Sequence, residues 1–326
     1  MFLLSPPSFF ANSTRRTLES RYVPAPIHRL FRRISRPWPL RRRHVAKIEA
    51  DADHAQHQAE LNLRIIAALG LECRGLRILE IGPGHHFGPA LLLASQGAHV
   101  TLADRCLASW DDPYHPAFYR ALRAGWNGPA AALDSVIARR SYEGWLTLLA
   151  EPAEHLTSLA ASSIDLVLSY SVLEHVFDLP AVCAELARIT PTGGFNCHHV
   201  DFRWHRFGWP QPLEFLVHSE DRFRRDFAAE HGECGNRCRP SEVAALFQSA
   251  GFEVVRIVPD LFTAPTELAR VLPRLRRSAS PYRNWPEEDL RTLSAYFQLK
   301  RTDDPSVREH GAAQLEIHRK LKAVCV

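Results

Sequence analysis

Ile78-Leu79-Glu80-Ile81-Gly82-Pro83-Gly84, followed by Asp104 at the end of the next apolar run, is the stretch that decides how this chain folds. Its first four residues read as a buried strand, and the glycines end that strand in a turn that opens a helix. A side chain at such a turn would obstruct anything lying over the backbone, and only glycine takes a positive φ cheaply. Asp104, at the tip of the following strand, can accept hydrogen bonds from both hydroxyls of a ribose, as acids do in dinucleotide-binding folds. Strand, glycine turn, helix, strand and acid together make a holder for a nucleoside with a charged tail.

The spacing G-x-G-x-x-x-G (Gly82, Gly84, Gly88) differs from the G-x-G-x-x-G of NAD sites. Glu80, just before the turn, would repel a pyrophosphate but suits a cationic amine. S-adenosylmethionine, with its sulfonium and α-ammonium, fits that electrostatic setting better than NAD does. A second segment runs Ser163-Ile164-Asp165-Leu166-Val167-Leu168-Ser169-Tyr170-Ser171-Val172-Leu173-Glu174-His175-Val176. Together the two segments resemble the class I S-adenosylmethionine-dependent methyltransferases, in particular the group that acts on small molecules, lipids and sugars. In that family the first segment is the cofactor loop. The second is the fourth strand, usually opened by an aromatic-Asp pair and followed by a Leu-Glu-His turn; here Ile164 stands in place of the aromatic. The resemblance covers roughly residues 55 to 260, the length of one α/β domain. It implies an α/β, Rossmann-like, doubly wound sheet of seven mostly parallel strands with helices on both faces, its last strand antiparallel at the sheet edge.

Outward from these motifs, the chain divides into an arm over residues 1 to 44, a methyltransferase-like domain over 45 to 302 and a helical tail over 303 to 326. A first helix is expected from Val45 to Leu69, with Ala55, Ala59, Leu63 and Ile66 on one face. Strands are expected at Leu76 to Ile81, His99 to Ala103, Trp145 to Leu149, Ile164 to Ser169, Phe195 to Val200 and Phe252 to Val258. Alternation at Leu293, Ala295, Phe297 and Leu299 marks the last one. Asp178 reads as an N-cap with Pro180 in the first turn, followed by the apolar stripe Leu179, Val182, Cys183 and Leu186. A further helix runs from Pro240 to Ala250. Residues 106 to 143 and 201 to 239, rich in aromatics, do not fit the strand-helix alternation and read as cap-like inserts after strands two and five.

Charged residues at 23% and hydrophobic ones at 46% are ordinary for a globular protein. The net charge of +4 is nearly all arginine, since lysine occurs only at Lys47, Lys300, Lys320 and Lys322. Seven cysteines without regular spacing argue against a disulfide framework and for a reducing compartment. No apolar run approaches the roughly 20 residues that a membrane span needs, and Met1-Phe2-Leu3-Leu4 makes a poor signal peptide, so a cytoplasmic location is expected. In the arm, Arg32, Arg33, Arg36, Arg41, Arg42 and Arg43 are interleaved with Phe31 and Trp38. Three readings of it stand open: a disordered or loosely docked arm, peripheral contact with an anionic membrane surface, and nucleic-acid binding.

The residues just after each strand should form the site. The cofactor is expected at Glu80, Ile81, Gly82, Pro83 and Gly84; at Asp104 and Arg105; at Ala153 and Glu154, with Glu151 as a second choice; and at Ser169 and Tyr170. On the resemblance, Glu174 and His175 face the acceptor. His198, His199, Asp201 and His205 cluster after strand five, where an acceptor would sit. A hydroxyl acceptor must lose a proton, and histidine suits that task near neutral pH; His199 or His175 is the candidate base. His231, Cys234 and Cys238 match no common zinc spacing, so no metal is expected. After strand four, Ser169-Tyr170-Ser171 offers no Asn or Asp for an exocyclic amine, which disfavours nucleobase N-methylation. The expected function is methyl transfer from S-adenosylmethionine, to oxygen on a small-molecule, glycan or lipid-linked acceptor. The rivals are a non-catalytic S-adenosylmethionine-binding or scaffold protein and a nicotinamide-dependent oxidoreductase or epimerase. The last is weakened by Glu80, the glycine spacing and the lack of a Tyr-x-x-x-Lys pair.

Overall fold

The computed structural model describes residues 45–204, 211–226 and 234–323. The arm with its six singled-out arginines, His205 and His231 therefore lie outside the described residues. The elements follow in the order α1 (Val45–Ala68), β1 (Arg77–Ile81), α2 (Gly88–Ser95), β2 (His99–Ala103), α3 (His115–Gly125), α4 (Ala131–Arg139), β3 (Leu146–Leu149) and β4 (Leu166–Tyr170). A single 3-10 turn (Leu173–His175) leads to α5 (Leu179–Ile189) and β5 (Phe195–Asp201). A second 3-10 turn (Glu214–Val217) precedes α6 (Glu220–Asp226), α7 (Pro240–Ser249), β6 (Phe252–Phe262), α8 (Pro265–Arg276), α9 (Glu287–Arg291), β7 (Thr292–Arg301) and α10 (Pro305–Ala323).

The seven strands form one sheet in the order β3-β2-β1-β4-β5-β7-β6. All pairings among β1 to β5 are parallel, while β7 runs antiparallel to both β5 and β6. The antiparallel strand is the expected one, but it does not lie at the edge: β7 inserts between β5 and β6, and β6 is the edge strand. An edge position explains how β6 carries Pro259 and runs to Phe262, four residues past its expected end, since an edge strand need not donate every ladder hydrogen bond.

Alternation along the central strands sends side chains into two cores. Ile78, Val100, Leu102, Leu166 and Leu168 pack with Ala55, Ala59 and Ile66 of α1, and with α2, α3 and α4. Leu79, Ile81, Ala103 and Val167 face the opposite layer, with Leu179, Val182, Cys183 and Leu186 of α5 and Val243 and Phe247 of α7. The cap on α5 is as expected, Asp178 Oδ1 accepting the Ala181 N–H at 3.0 Å. The segment after β2 is not loosely laid on the surface: Phe118, Tyr119 and Leu122 of α3 are fully buried in the first core. Residues Trp204, Leu213, Phe215 and Phe223 join Val271, Tyr282, Trp285 and Leu290 in a third cluster beyond β5. Among the described residues no helix is long and apolar enough to cross a membrane.

Candidate active site

The carboxyl ends of four strands finish level. Ile81 pairs with Ala103 and with Ser169, and Ala103 pairs with Leu149. The glycine turn, Asp104, the 150–156 segment and Tyr170 thus leave one straight edge. With neighbouring strands about 4.8 Å apart, β3 to β4 spans roughly 14 Å, the length of an extended nucleoside with an amino-acid tail.

At the centre of that edge Gly82 and Gly84 take φ of +65° and +73°. A Cβ on Gly82 would lie 2.5 Å from Val172 Cγ2, whereas one on Gly84 would meet nothing within 4 Å. The turn is packed on one side and open on the other. Asp104 is partly exposed; its Oδ1 accepts the Cys106 N–H at 2.8 Å, which orients the carboxylate and leaves Oδ2 for a ligand. Arg105 Nη2 sits 3.4 Å from Glu154 Oε1, and Glu154 Oε2 is buried with no hydrogen-bond partner among the described residues. Glu151, the second choice at this position, is engaged with the Ser158 N–H and hydroxyl instead.

Toward β4 the site closes. Glu80 is 7% exposed, and no hydrogen bond or ion pair reaches its carboxyl among the described residues. Burial pushes its pKa up to about 7. Tyr170 lies nearby and donates its hydroxyl to Asn62 Oδ1 of α1; burial first, then Tyr296 and Glu80, raise its pKa well above the usual range, so it stays a neutral donor. Asn62 is fully buried and its Nδ2 has no hydrogen-bond partner among the described residues. Further along α1, Asp51 Oδ2 accepts the Tyr114 hydroxyl at 2.7 Å, and His85 of the glycine loop lies 3.0 Å from that hydroxyl. These contacts tie α1, α3 and the loop together. Sequence reasoning missed Asn62, Asp51 and Tyr114; the available signal was a polar stripe (Asp51, Gln58, Asn62) running beside the apolar face of α1.

Beyond β4 lies the expected acceptor side. Ser171 leaves the strand at φ +51°, a costly backbone state for a residue with a Cβ, and the 3-10 turn follows. Glu174 is buried, and burial pushes its carboxyl up to about 8. Neither oxygen makes a hydrogen bond among the described residues, and His175 Nε2 is 3.9 Å away. The turn is clasped by the 234–238 segment: the Gly235 and Asn236 N–H groups donate to the Glu174 carbonyl at 2.8 and 3.3 Å, and Asn236 Nδ2 donates to the Leu173 and Val176 carbonyls. A cavity of about 10 Å³, room for roughly one water, is lined by Glu174, Asp201, Arg203, Phe215, Asn236 and Arg237 among others. Asp201 and Arg203 form an ion pair at 2.5 Å.

The structure thus gathers Glu174 and Asp201 around one cavity, whereas His199 of β5, 17% exposed, is not among the residues that line it. His199 Nε2 is 3.3 Å from Asp260 Oδ2, and Asp260 Oδ1 accepts the Ser294 hydroxyl at 2.7 Å. Sequence reasoning identified neither Asp260 nor Ser294. His198, expected to meet the acceptor, is placed elsewhere: alternation turns it to the other face of the sheet. There it is 1% exposed, stacked on Phe247 of α7, with Nδ1 2.7 Å from the Ser169 hydroxyl. Burial lowers its pKa to about 3, so it is a neutral core histidine, and the Ser169 side chain goes with it into that core. Among the described residues no group of three His, Cys, Asp or Glu is arranged to hold a metal ion.

The edge fits S-adenosylmethionine on its own geometry. A buried carboxyl (Glu80) lies at one end, an acid with a spare oxygen (Asp104) in the middle, a buried oxygen without a partner among the described residues (Glu154 Oε2) beyond it, and an unobstructed glycine between. Acceptors of this kind suit a ligand that carries an ammonium, two hydroxyls and an amino group.

The sequence matches the family described as "Methyltransferase domain" over residues 52–257, well over half of the chain. No curated protein matches it. Similar solved structures include a putative sarcosine dimethylglycine methyltransferase from Galdieria sulphuraria (13% identity over 76% of this chain and 86% of that one, TM-score 0.46). Another is an S-adenosylmethionine-dependent methyltransferase from Mesorhizobium loti (17% identity, 73% and 96%, TM-score 0.41). A third is phosphoethanolamine N-methyltransferase 2 from Haemonchus contortus in complex with S-adenosyl-L-methionine (14% identity, 75% and 53%, TM-score 0.44). By its family match and its strand order, the chain belongs to the methyltransferase-domain family and is a class I S-adenosylmethionine-dependent methyltransferase.

Proposed function

We propose that the chain methylates an oxygen of a small-molecule, glycan or lipid-linked acceptor, with His199 as the general base. The observation that carries this reading is the partly exposed His199 imidazole near the carboxyl end of β5, hydrogen-bonded to the Asp260 carboxylate. The bound cofactor supplies an electrophilic methyl on sulfur. Glu80 answers its ammonium, Asp104 its ribose, and Glu154 with the backbone around Ala153 its base. His199 takes the acceptor's proton as the O–CH3 bond forms and the S–CH3 bond breaks, leaving S-adenosylhomocysteine, a methylated oxygen and a proton that passes to solvent. Alignment of donor and acceptor and exclusion of water contribute the rest of the acceleration. A neutral Glu174, protonated at neutral pH by its burial, can donate a hydrogen bond to the acceptor without repelling it. A lipid-linked acceptor would also suit the arginine-rich arm.

The test is release of S-adenosylhomocysteine by the full-length protein over a panel of phenols, sugars and lipid-linked hydroxyl compounds. With the acceptor so found, His199→Ala should lower kcat by roughly 10²-fold or more. Unchanged turnover by that variant would remove His199 from the role.

A further inference from the structure

Asp260 enters the site through an irregularity of the sheet. Because β7 lies between β5 and β6, the strands that carry His199 and Asp260 are not neighbours. His199 is paired with Tyr296, and Tyr296 with Val258. Along β6 the pairing steps from Pro259–Ala295 to Leu261–Ser294, which leaves Asp260 as the extra residue of a bulge. A bulge bends its strand and re-aims one side chain. Here it carries the carboxylate across β7 to His199 Nε2, 3.3 Å from Oδ2, while the Tyr296 ring lies 4.4 Å from the imidazole. The other oxygen is held by the Ser294 hydroxyl at 2.7 Å, so both are fixed.

Burial works against the charge on Asp260, but the hydrogen bonds from His199 and Ser294 outweigh it and hold the carboxyl below its ordinary range. An ionised carboxylate has no hydrogen to give, so the one between Asp260 and His199 belongs to Nε2. A neutral imidazole carries one N–H only, and Nδ1 has no hydrogen-bond partner among the described residues.

The geometry points to Asp260 as the positioning residue of this site: it locks His199 in the Nε2–H tautomer, so that Nδ1 is the atom that takes the acceptor's proton. Ser294 in turn keeps the carboxylate aimed. The carboxylate also balances the imidazolium formed when the proton arrives. The inference rests on the proposed role of His199, and its test separates the two.

Nitrogen NMR on the full chain with labelled histidine, at about pH 8 where ordinary imidazoles are neutral, reads the tautomer without any acceptor. His199→Ala identifies the His199 signals. The expected wild-type pattern is a bare Nδ1 and a protonated Nε2. In Asp260→Asn, whose amide can donate as well as accept, the pattern should mix or reverse while S-adenosylhomocysteine still binds; Asp260→Glu should keep it. A bare Nε2 in the wild type, or an unaltered pattern in Asp260→Asn, overturns the inference. With an acceptor in hand, Asp260→Asn should lower kcat roughly 10²-fold, with both KM values within about twofold of wild type. A merely structural role would instead raise KM and lower Tm. If His199→Ala is fully active, the base reading falls. If His199→Ala is crippled and Asp260→Asn turns over normally, the Asp260 inference alone falls.

Discussion

Cofactor affinity should depend on pH through Glu80, and the size of the effect follows from its burial. Its carboxyl is pushed up to about 7 by desolvation, with no partner among the described residues. In the free protein roughly one molecule in eleven carries the charge at pH 6, and about three in four at pH 7.5. A ligand whose ammonium selects the ionised form has its apparent Kd divided by that fraction. Affinity should therefore tighten roughly eightfold over this interval, about 1.2 kcal/mol. Binding at pH 6 should expel close to one proton per site from this carboxyl. Calorimetric titration with S-adenosylmethionine in two buffers of different ionisation heat measures both quantities. The ligand's own amine titrates as well, so the informative quantity is the ratio of wild type to Glu80→Gln, in which that contribution cancels. The variant should bind more weakly and lack the slope. A ratio that stays flat with pH, or falls as pH rises, would show that the carboxyl is not ionised in the complex, and the electrostatic reading of the glycine turn would be wrong.

Glu174→Gln should be neutral in acid and stabilising in base. The native carboxyl is pushed up to about 8 by burial, whereas the unfolded chain gives its proton up near the ordinary glutamate value of 4.5. Native stability from this group is thus full below about 4.5 and is lost as pH rises through about 8. The amide has no such loss, so its stability advantage in denaturant melts should widen between pH 5 and pH 8, toward a few kcal/mol; an equal gap at both ends would refute the reading. Gly235→Ala should destabilise by about 1–3 kcal/mol, the usual cost of overpacking, because its Cβ would stand 2.2 Å from the His175 carbonyl oxygen. Denaturant melts measure that cost, and a wild-type midpoint would show that the clasp on the Glu174 turn yields easily.

The parts of this protein that were legible in its sequence are those written locally. The glycine turn, Asp104, the cap at Asp178 and the alternation of β7 each declare themselves within a few residues, and the two motifs together select the strand order. The acceptor side is different because it depends on distant pairings. That His199 faces outward and His198 inward is fixed only by the register in which Tyr170 meets His199 across the ladder, and a shift of one residue would exchange their roles. Asp260 was hidden for a stronger reason. Pro259 and Asp260 both read as the end of a strand, and so they would be in the middle of a sheet; on the edge strand the proline costs little, and the bulge accommodates the acid by turning it toward the site. The feature that made the residue look like a terminator is the same one that gives it a place beside His199. Residues of this kind should be sought where a turn signal falls inside a run of pairing on an edge strand, near the carboxyl end of the neighbouring parallel strands, because there a broken ladder and a functional side chain have one structural cause.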